Sequence, residues 1–296
     1  MTLHFFQALL QNPFLQNAVI AGLLAALAGG ITGSFVVAKK ISSISGSIAH
    51  SVLGGIGIAL YLNINHGMTA LQPIYGALFI GILAAIIIGY THLKYKQNED
   101  AIIAAVWAAG MAIGVIFASL IKGYNVDFSS FLFGNILWSS SGDLWLLAVL
   151  DLATIALISL FYYRFLAVSF DEEQAQLQGL PVKKYYFLLL GLISISIVIL
   201  IQIIGIILVI ALITIPPTIA RQFSAKLIVI MGLAIAICAL FNFLGTAIAY
   251  ECNTPPGATI ALVACFFYFT AFFIKKSLAV QKKPPAGTKK SSWEIS

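Results

Sequence analysis

The feature that most restricts this chain is a series of apolar runs, each roughly 18 to 25 residues long and separated by short polar segments. At a rise of about 1.5 Å per residue, a helical run of that length crosses a hydrocarbon core about 30 Å thick. Lipid offers no hydrogen bonds to a backbone, so only helices and closed barrels can span it. The runs lack the period-two alternation of barrel strands, which predicts an all-α, polytopic transmembrane helical bundle. Charged residues make up 9% of 296 and apolar residues 61%, against about 25% charged in a soluble domain. That is too little polar surface for a water-soluble fold of this size.

Nine candidate spans lie near 18–38, 46–64, 71–91, 101–121, 143–163, 185–201, 204–220, 227–249 and 257–274. The segment 185–220 reads either as two spans with a tight turn near Gln202 or as one span followed by a helix broken at Pro216–Pro217, so eight or nine spans are expected. No internal repeat is visible. Residues 1–276 read as one transmembrane domain, and 277–296 as a basic, Lys-, Pro- and Ser-rich cytoplasmic tail expected to be disordered. Met1 to Leu10 contain no Lys or Arg, so the basic region of a cleavable signal peptide is missing.

Basic residues set orientation in membranes. With the C-terminus in the cytoplasm and nine crossings, every Lys and Arg except Lys122 falls on the cytoplasmic side, leaving the N-terminus outside. The net charge of +6 is then a matter of topology and anionic lipid, not of nucleic-acid binding. Residues 164–184 form the longest cytoplasmic loop between spans and carry Asp171, Glu172 and Glu173; the outer loop 122–142 is too apolar to float in water and is expected to lie along or dip into the membrane. The three cysteines, Cys238, Cys252 and Cys265, form neither a disulfide framework nor a CxxC pair.

The chain has no GxxxxGK[ST] phosphate loop, no HExxH and no GxSxG, which points away from an ATPase or a hydrolase. Ionisable and amide groups inside spans are costly and are therefore candidates for function. His50 in the second span reads as a pathway group or an interhelical hydrogen bond. Asp151 in the fifth reads as a pathway carboxylate or one bonded within the bundle. Asn242 in the eighth reads as interhelical glue. The first three spans are rich in glycine, which lets helices pack closely.

Several segments, in order along the chain, resemble the permeases of manganese, zinc and iron ABC importers, the ABC-3 type. They are Pro13 to Ala18 followed by Gly33 to Val37; Lys39-Lys40, where that family usually has two arginines; Ser45 to Leu53; Phe131 to Leu137; the DxxxAxxxG spacing of Asp171, Ala175 and Gly179; Ile215-Pro216-Pro217-Thr218-Ile219-Ala220-Arg221; and Thr254-Pro255-Pro256-Gly257-Ala258. The resemblance implies an ABC-3-type importer permease that carries zinc, manganese or iron as cargo, with no permanently bound cofactor. It implies as partners a second copy of the permease, a cytoplasmic ABC ATPase and an extracytoplasmic metal-binding protein, in the inner membrane of a prokaryote. Residues 164–184 would be the ATPase-coupling element, and His50 a metal contact, with Asp151 and the outer-loop Asp127 as further candidates. Pro216, Pro217, Pro255, Pro256 and Gly257 would be structural motif residues. The family usually places an aspartate four residues before the histidine, on the same helical face; this chain has Gly46 there. The competing classes are an ion-coupled secondary transporter, which needs intramembrane carboxylates, and a polytopic membrane enzyme, which needs a convergent catalytic set.

Overall fold

Short local signals start the long helices. Asn12 caps the first long helix, its Oδ1 accepting from Phe14 N at 2.9 Å, and Pro13 occupies the first turn, where a missing N–H costs nothing. Ser140 and Asp143 form a reciprocal capping box at the head of another. A computed structural model describes residues 2–95, 99–121, 129–134 and 136–281. Among them the elements are α1 (Thr2–Gln11), α2 (Pro13–Ala38), α3 (Ser42–His66), α4 (Pro73–Lys94), α5 (Glu99–Ser119), α6 (Ser129–Phe133), a 3₁₀ turn (Ile136–Trp138), α7 (Ser141–Phe170), α8 (Glu172–Leu177), α9 (Val182–Ile204), α10 (Ile206–Ala220), α11 (Leu227–Cys252) and α12 (Pro256–Gln281), with no strand. α12 continues past the expected boundary at 276 as far as Gln281.

Eight of these helices are long and apolar enough to cross a membrane. The ambiguous stretch 185–220 resolves as the first of its two expected readings, two helices joined by a tight turn. The turn falls at Gly205, just past Gln202, because Gly205 adopts φ 82°, ψ 161°, a conformation essentially closed to other residues. α10 then runs unbroken through Pro216 and Pro217. Each proline removes a helical N–H, freeing the carbonyls of Leu212 and Ile213. Cys238 on α11 donates its thiol to the Leu212 carbonyl at 3.5 Å. The Ile213 carbonyl is covered by the close approach of Gly33 on α2. Neighbouring helices thus satisfy or cover what the prolines expose, which is how membrane helices tolerate them.

Contacts sort the helix ends into two groups. At one end Lys39 pairs with Glu172, His92 meets both Glu99 and Glu172, and Arg221 Nη1 donates to Val37 O at 3.1 Å. At the other, Asn17 Nδ2 donates to Ser139 O at 3.3 Å and Asn65 Nδ2 to Leu120 O at 3.2 Å. α9 leaves the first end and α10 returns to it. With 15 residues, α10 spans only about 22 Å, so the bundle has eight full-length spans and one short return.

α2, α3 and α9 are the most buried spans, while α5, α7 and α12 expose most of their surface. α3 and α5 run parallel, in backbone contact. A Cβ at Gly54 would lie 2.7 Å from Gly110 O, and one at Gly57 2.6 Å from Gly114 O. Small residues three and four apart on facing helices are the usual device for such approach in lipid. Residues 122–128 and 135 of the outer loop lie outside the described residues. α6 and Gly134 pack against the backbone of Ile204 and Gly205, with Gly257 at the head of α12 closing the same contact. Pro256 occupies the first turn of α12, as proline does at helix starts.

Candidate functional site

His50 lies on the α3 face turned towards α5. Ser47, one turn before it, donates Oγ–H to Ile103 O at 2.8 Å, and Gly54, one turn after it, meets Gly110. Between these two contacts the imidazole stacks on Trp107, ring centroids 4.5 Å apart and planes 10° from parallel. The ring is half-buried, and its buried Nδ1 has no hydrogen-bond partner among the described residues. An unpaired ring nitrogen inside a span is expensive unless something passes or binds there. Among the described residues the contact His50 makes across the helix pair is this ring stack. A Cβ added at Gly46, on the same face, would meet nothing within 4 Å.

Asp151 is buried where α7 packs on α2, and neither carboxylate oxygen has a hydrogen-bond partner among the described residues. Thr154, one turn on, is also buried with its hydroxyl unbonded. The structure does not bring Asp151 to His50. No three His, Cys, Asp or Glu side chains converge into a metal-holding group among the described residues. Asp127 lies outside those residues. Asn242 does hold helices together, its Nδ2 donating to Gly22 O at 3.1 Å and Cys238 O at 3.0 Å.

The DxxxAxxxG spacing has a simple structural meaning. Asp171 is the N-cap of α8, its Oδ1 accepting from Gln174 N at 2.9 Å. Ala175 is the buried contact that seats the helix on the bundle. Gly179, at φ 80°, ends it, with Leu180 N reaching back to Ala175 O at 3.1 Å. Cap, contact and stop fix a helix of six residues that is too short to form alone. Its outer face presents Glu173, Gln174, Gln176 and Leu177, the last 88% exposed.

One group of side chains was not legible as a site in the sequence. Lys39, at the end of α2, has a side chain only 5% exposed. Its ammonium donates to Val168 O at 2.9 Å, pairs with Glu172 and lies 4.7 Å above the Tyr186 ring. His92, in the last turn of α4, stacks on the same Tyr186 and places Nδ1 2.7 Å from Glu99 Oε1 and Nε2 3.7 Å from Glu172 Oε1. The neighbouring His92 and Lys39 hold the Glu172 carboxyl far below the usual carboxylate range, at about 2, against the opposing effect of burial. Glu172 is therefore ionised at any working pH. In the sequence Lys39 figured in the basic-residue count and in the Lys39-Lys40 motif, Glu172 as part of an acidic cluster, and His92, Glu99 and Tyr186 not at all.

Among the described residues, eight helices long and apolar enough to span, a half-buried imidazole within them and a capped helix at one end define a polytopic helical membrane protein. The chain belongs to the ABC 3 transport family, whose profile matches residues 11–275. It is 41% identical over 273 residues, 92% of this chain and 93% of the relative, to the "Probable metal transport system membrane protein" of Chlamydia muridarum. It is 34% identical over 281 residues, 94% of this chain and 98% of the relative, to the manganese transport system membrane protein MntC of Listeria monocytogenes. PsaBC from Streptococcus pneumoniae, solved in complex with a Fab, superposes with a TM-score of 0.82 at 30% identity, covering 95% of this chain and 100% of that one.

Proposed function

We propose that the chain is the membrane-spanning permease subunit of an ATP-binding cassette importer that moves a divalent transition metal ion into the cytoplasm, with zinc and manganese ahead of iron. The observation that carries this reading is similarity over nearly the whole chain to membrane proteins of metal transport systems. With no phosphate loop of its own, the chain draws on ATP hydrolysis in a separate partner. An extracytoplasmic metal-binding protein delivers the ion, and a second copy of the permease completes the pathway. The metal is cargo, and a single half-buried imidazole from each chain suits an ion that must leave as well as enter.

α8 is the element that the ATPase receives, and Leu177 its anchor. An exposed leucine on a short polar helix is the kind of side chain that fills a partner's pocket, and such anchors carry much of an interface's energy. Leu177→Asp is expected to weaken ATPase association by roughly tenfold or more, read by co-purification, and to abolish ATP-driven manganese uptake in proteoliposomes. Ala175 faces the bundle, so a bulky replacement there acts by unseating α8. If Leu177→Asp assembles and transports like the parent, α8 is not the docking element.

The basic-residue count supports an orientation in a prokaryotic inner membrane with the end that carries Lys39, His92, Glu172 and Arg221 in the cytoplasm, the C-terminus inside and the N-terminus outside. Reporter fusions at Lys184 and Ser224 are expected to read cytoplasmic, and one at Gly67 extracytoplasmic. The reverse pattern overturns the orientation.

A further inference from the structure

We propose that His92 is a positioning residue that carries movement of the coupling helix to the helix pair holding His50. The proposal rests on the permease reading above and concerns how that permease is driven.

The geometry is a series of contacts with one member from each element. Glu172 belongs to α8, and its carboxylate is shared between Lys39 at the end of α2 and His92 at the end of α4. His92 turns its other nitrogen to Glu99, in the first turn of α5. The imidazole is held flat against Tyr186 of α9, which is itself buried. Two carboxylates on different helices therefore meet on opposite sides of one ring. From Glu99, α5 runs as an unbroken helix for two turns to Trp107, the ring stacked on His50. α5 is bound to α3 by backbone contacts at Gly110 and Gly114, so displacing its first turn displaces the wall of the His50 groove. A helix is stiff over that distance, about 12 Å, and transmits displacement better than a loop.

A purely structural ion cluster is the competing reading, and the two differ in what they predict. A merely structural cluster fails by loss of assembly. A relay fails by loss of coupling, the ATP being hydrolysed without the ion moving. It also makes Glu99 and Glu172 interdependent although each meets the other only through His92, whereas independent sites give additive effects.

The test uses the whole transporter, permease with its ATPase and metal-binding protein, reconstituted in proteoliposomes. Radiolabelled manganese uptake and ATP hydrolysis are measured on the same preparation, and ATPase co-purification reports assembly. His92→Gln is expected to keep assembly and hydrolysis while lowering ions imported per ATP at least fivefold. Glu99→Gln and Glu172→Gln are expected to be non-additive in that ratio, and to become additive in the His92→Gln background. If His92→Gln proves too poorly folded to purify, the Glu99 and Glu172 pair alone carries the test. A parental ratio of ions to ATP in His92→Gln, or strictly additive Glu99 and Glu172 effects, overturns the relay. A parent transporter that shows no ATP-driven manganese, zinc or iron uptake overturns instead the permease reading on which it rests.

Discussion

Replacing Gly205 with alanine is expected to destabilise the protein by about 3 to 5 kcal/mol. Two effects combine. At φ 82°, ψ 161° the backbone is in a region that only glycine occupies without strain. A Cβ there would also lie 2.8 Å from Gly134 Cα and 2.5 Å from the carbonyl carbon of Phe133, which are backbone atoms that cannot rotate away. Gly257 approaches the same point from α12, its own added Cβ meeting Ile204 O at 3.4 Å. Three segments distant in sequence therefore meet backbone to backbone and close the outer loop onto the bundle. The measurement is the thermal unfolding midpoint of the detergent-purified protein. Gly191→Ala is the control, since a Cβ at Gly191 meets nothing within 4 Å and alanine favours a helix. Gly205→Ala should melt well below the parent and Gly191→Ala at or above it. Equal midpoints for the parent and Gly205→Ala would remove this contact from the account.

The spans were legible because lipid forces one solution on long apolar runs, and their positions followed closely: the expected 18–38 lies within Pro13–Ala38, and 227–249 within Leu227–Cys252. The misreading fell where local rules point one way and neighbours another. Pro216-Pro217 looked like a break, but Cys238 satisfies one freed carbonyl and Gly33 covers the other, and neither lies near the prolines in sequence. The turn itself was read near Gln202; its exact place at Gly205 was not, because the positive φ that makes it is a backbone property that the residue pattern shows only approximately.

The two halves of the candidate site differ in the same way. Asp171, Ala175 and Gly179 were singled out by the resemblance to importer permeases, and the fold gives their spacing a local meaning as cap, contact and stop of one short helix. The cluster of Lys39, His92, Glu99, Glu172 and Tyr186 draws on five separate elements, and only folding puts an imidazole between two carboxylates. His50 stood out for its cost in a span, yet its partner Trp107 did not, since an aromatic ring in an apolar run carries no signal of its own.

His50→Ala is expected to cut metal uptake by roughly 10- to 100-fold, the loss typical of disturbing a metal-contacting shell, while leaving assembly intact. The side chain makes no hydrogen bond through its buried Nδ1, so its removal leaves no donor or acceptor stranded, and the fold loses only a stacking contact with Trp107. A large fall in transport with normal expression and ATPase co-purification would thus come from the pathway. Gly46→Asp tests the same site by addition. Its Cβ enters open space, and a carboxylate there would lie one turn from the imidazole on the same helical face. A negative charge within a few ångströms of a divalent ion in a partly shielded groove attracts it by several kcal/mol before desolvation. The concentration for half-maximal uptake is therefore expected to fall by about tenfold, with slower release. Both variants are read by radiolabelled manganese and zinc uptake in proteoliposomes containing the full complex, with metal concentration varied. Transport at the parental rate in His50→Ala would make His50 a packing residue. The buried, unbonded carboxylate of Asp151 would then be the next group to substitute, followed by Asp127.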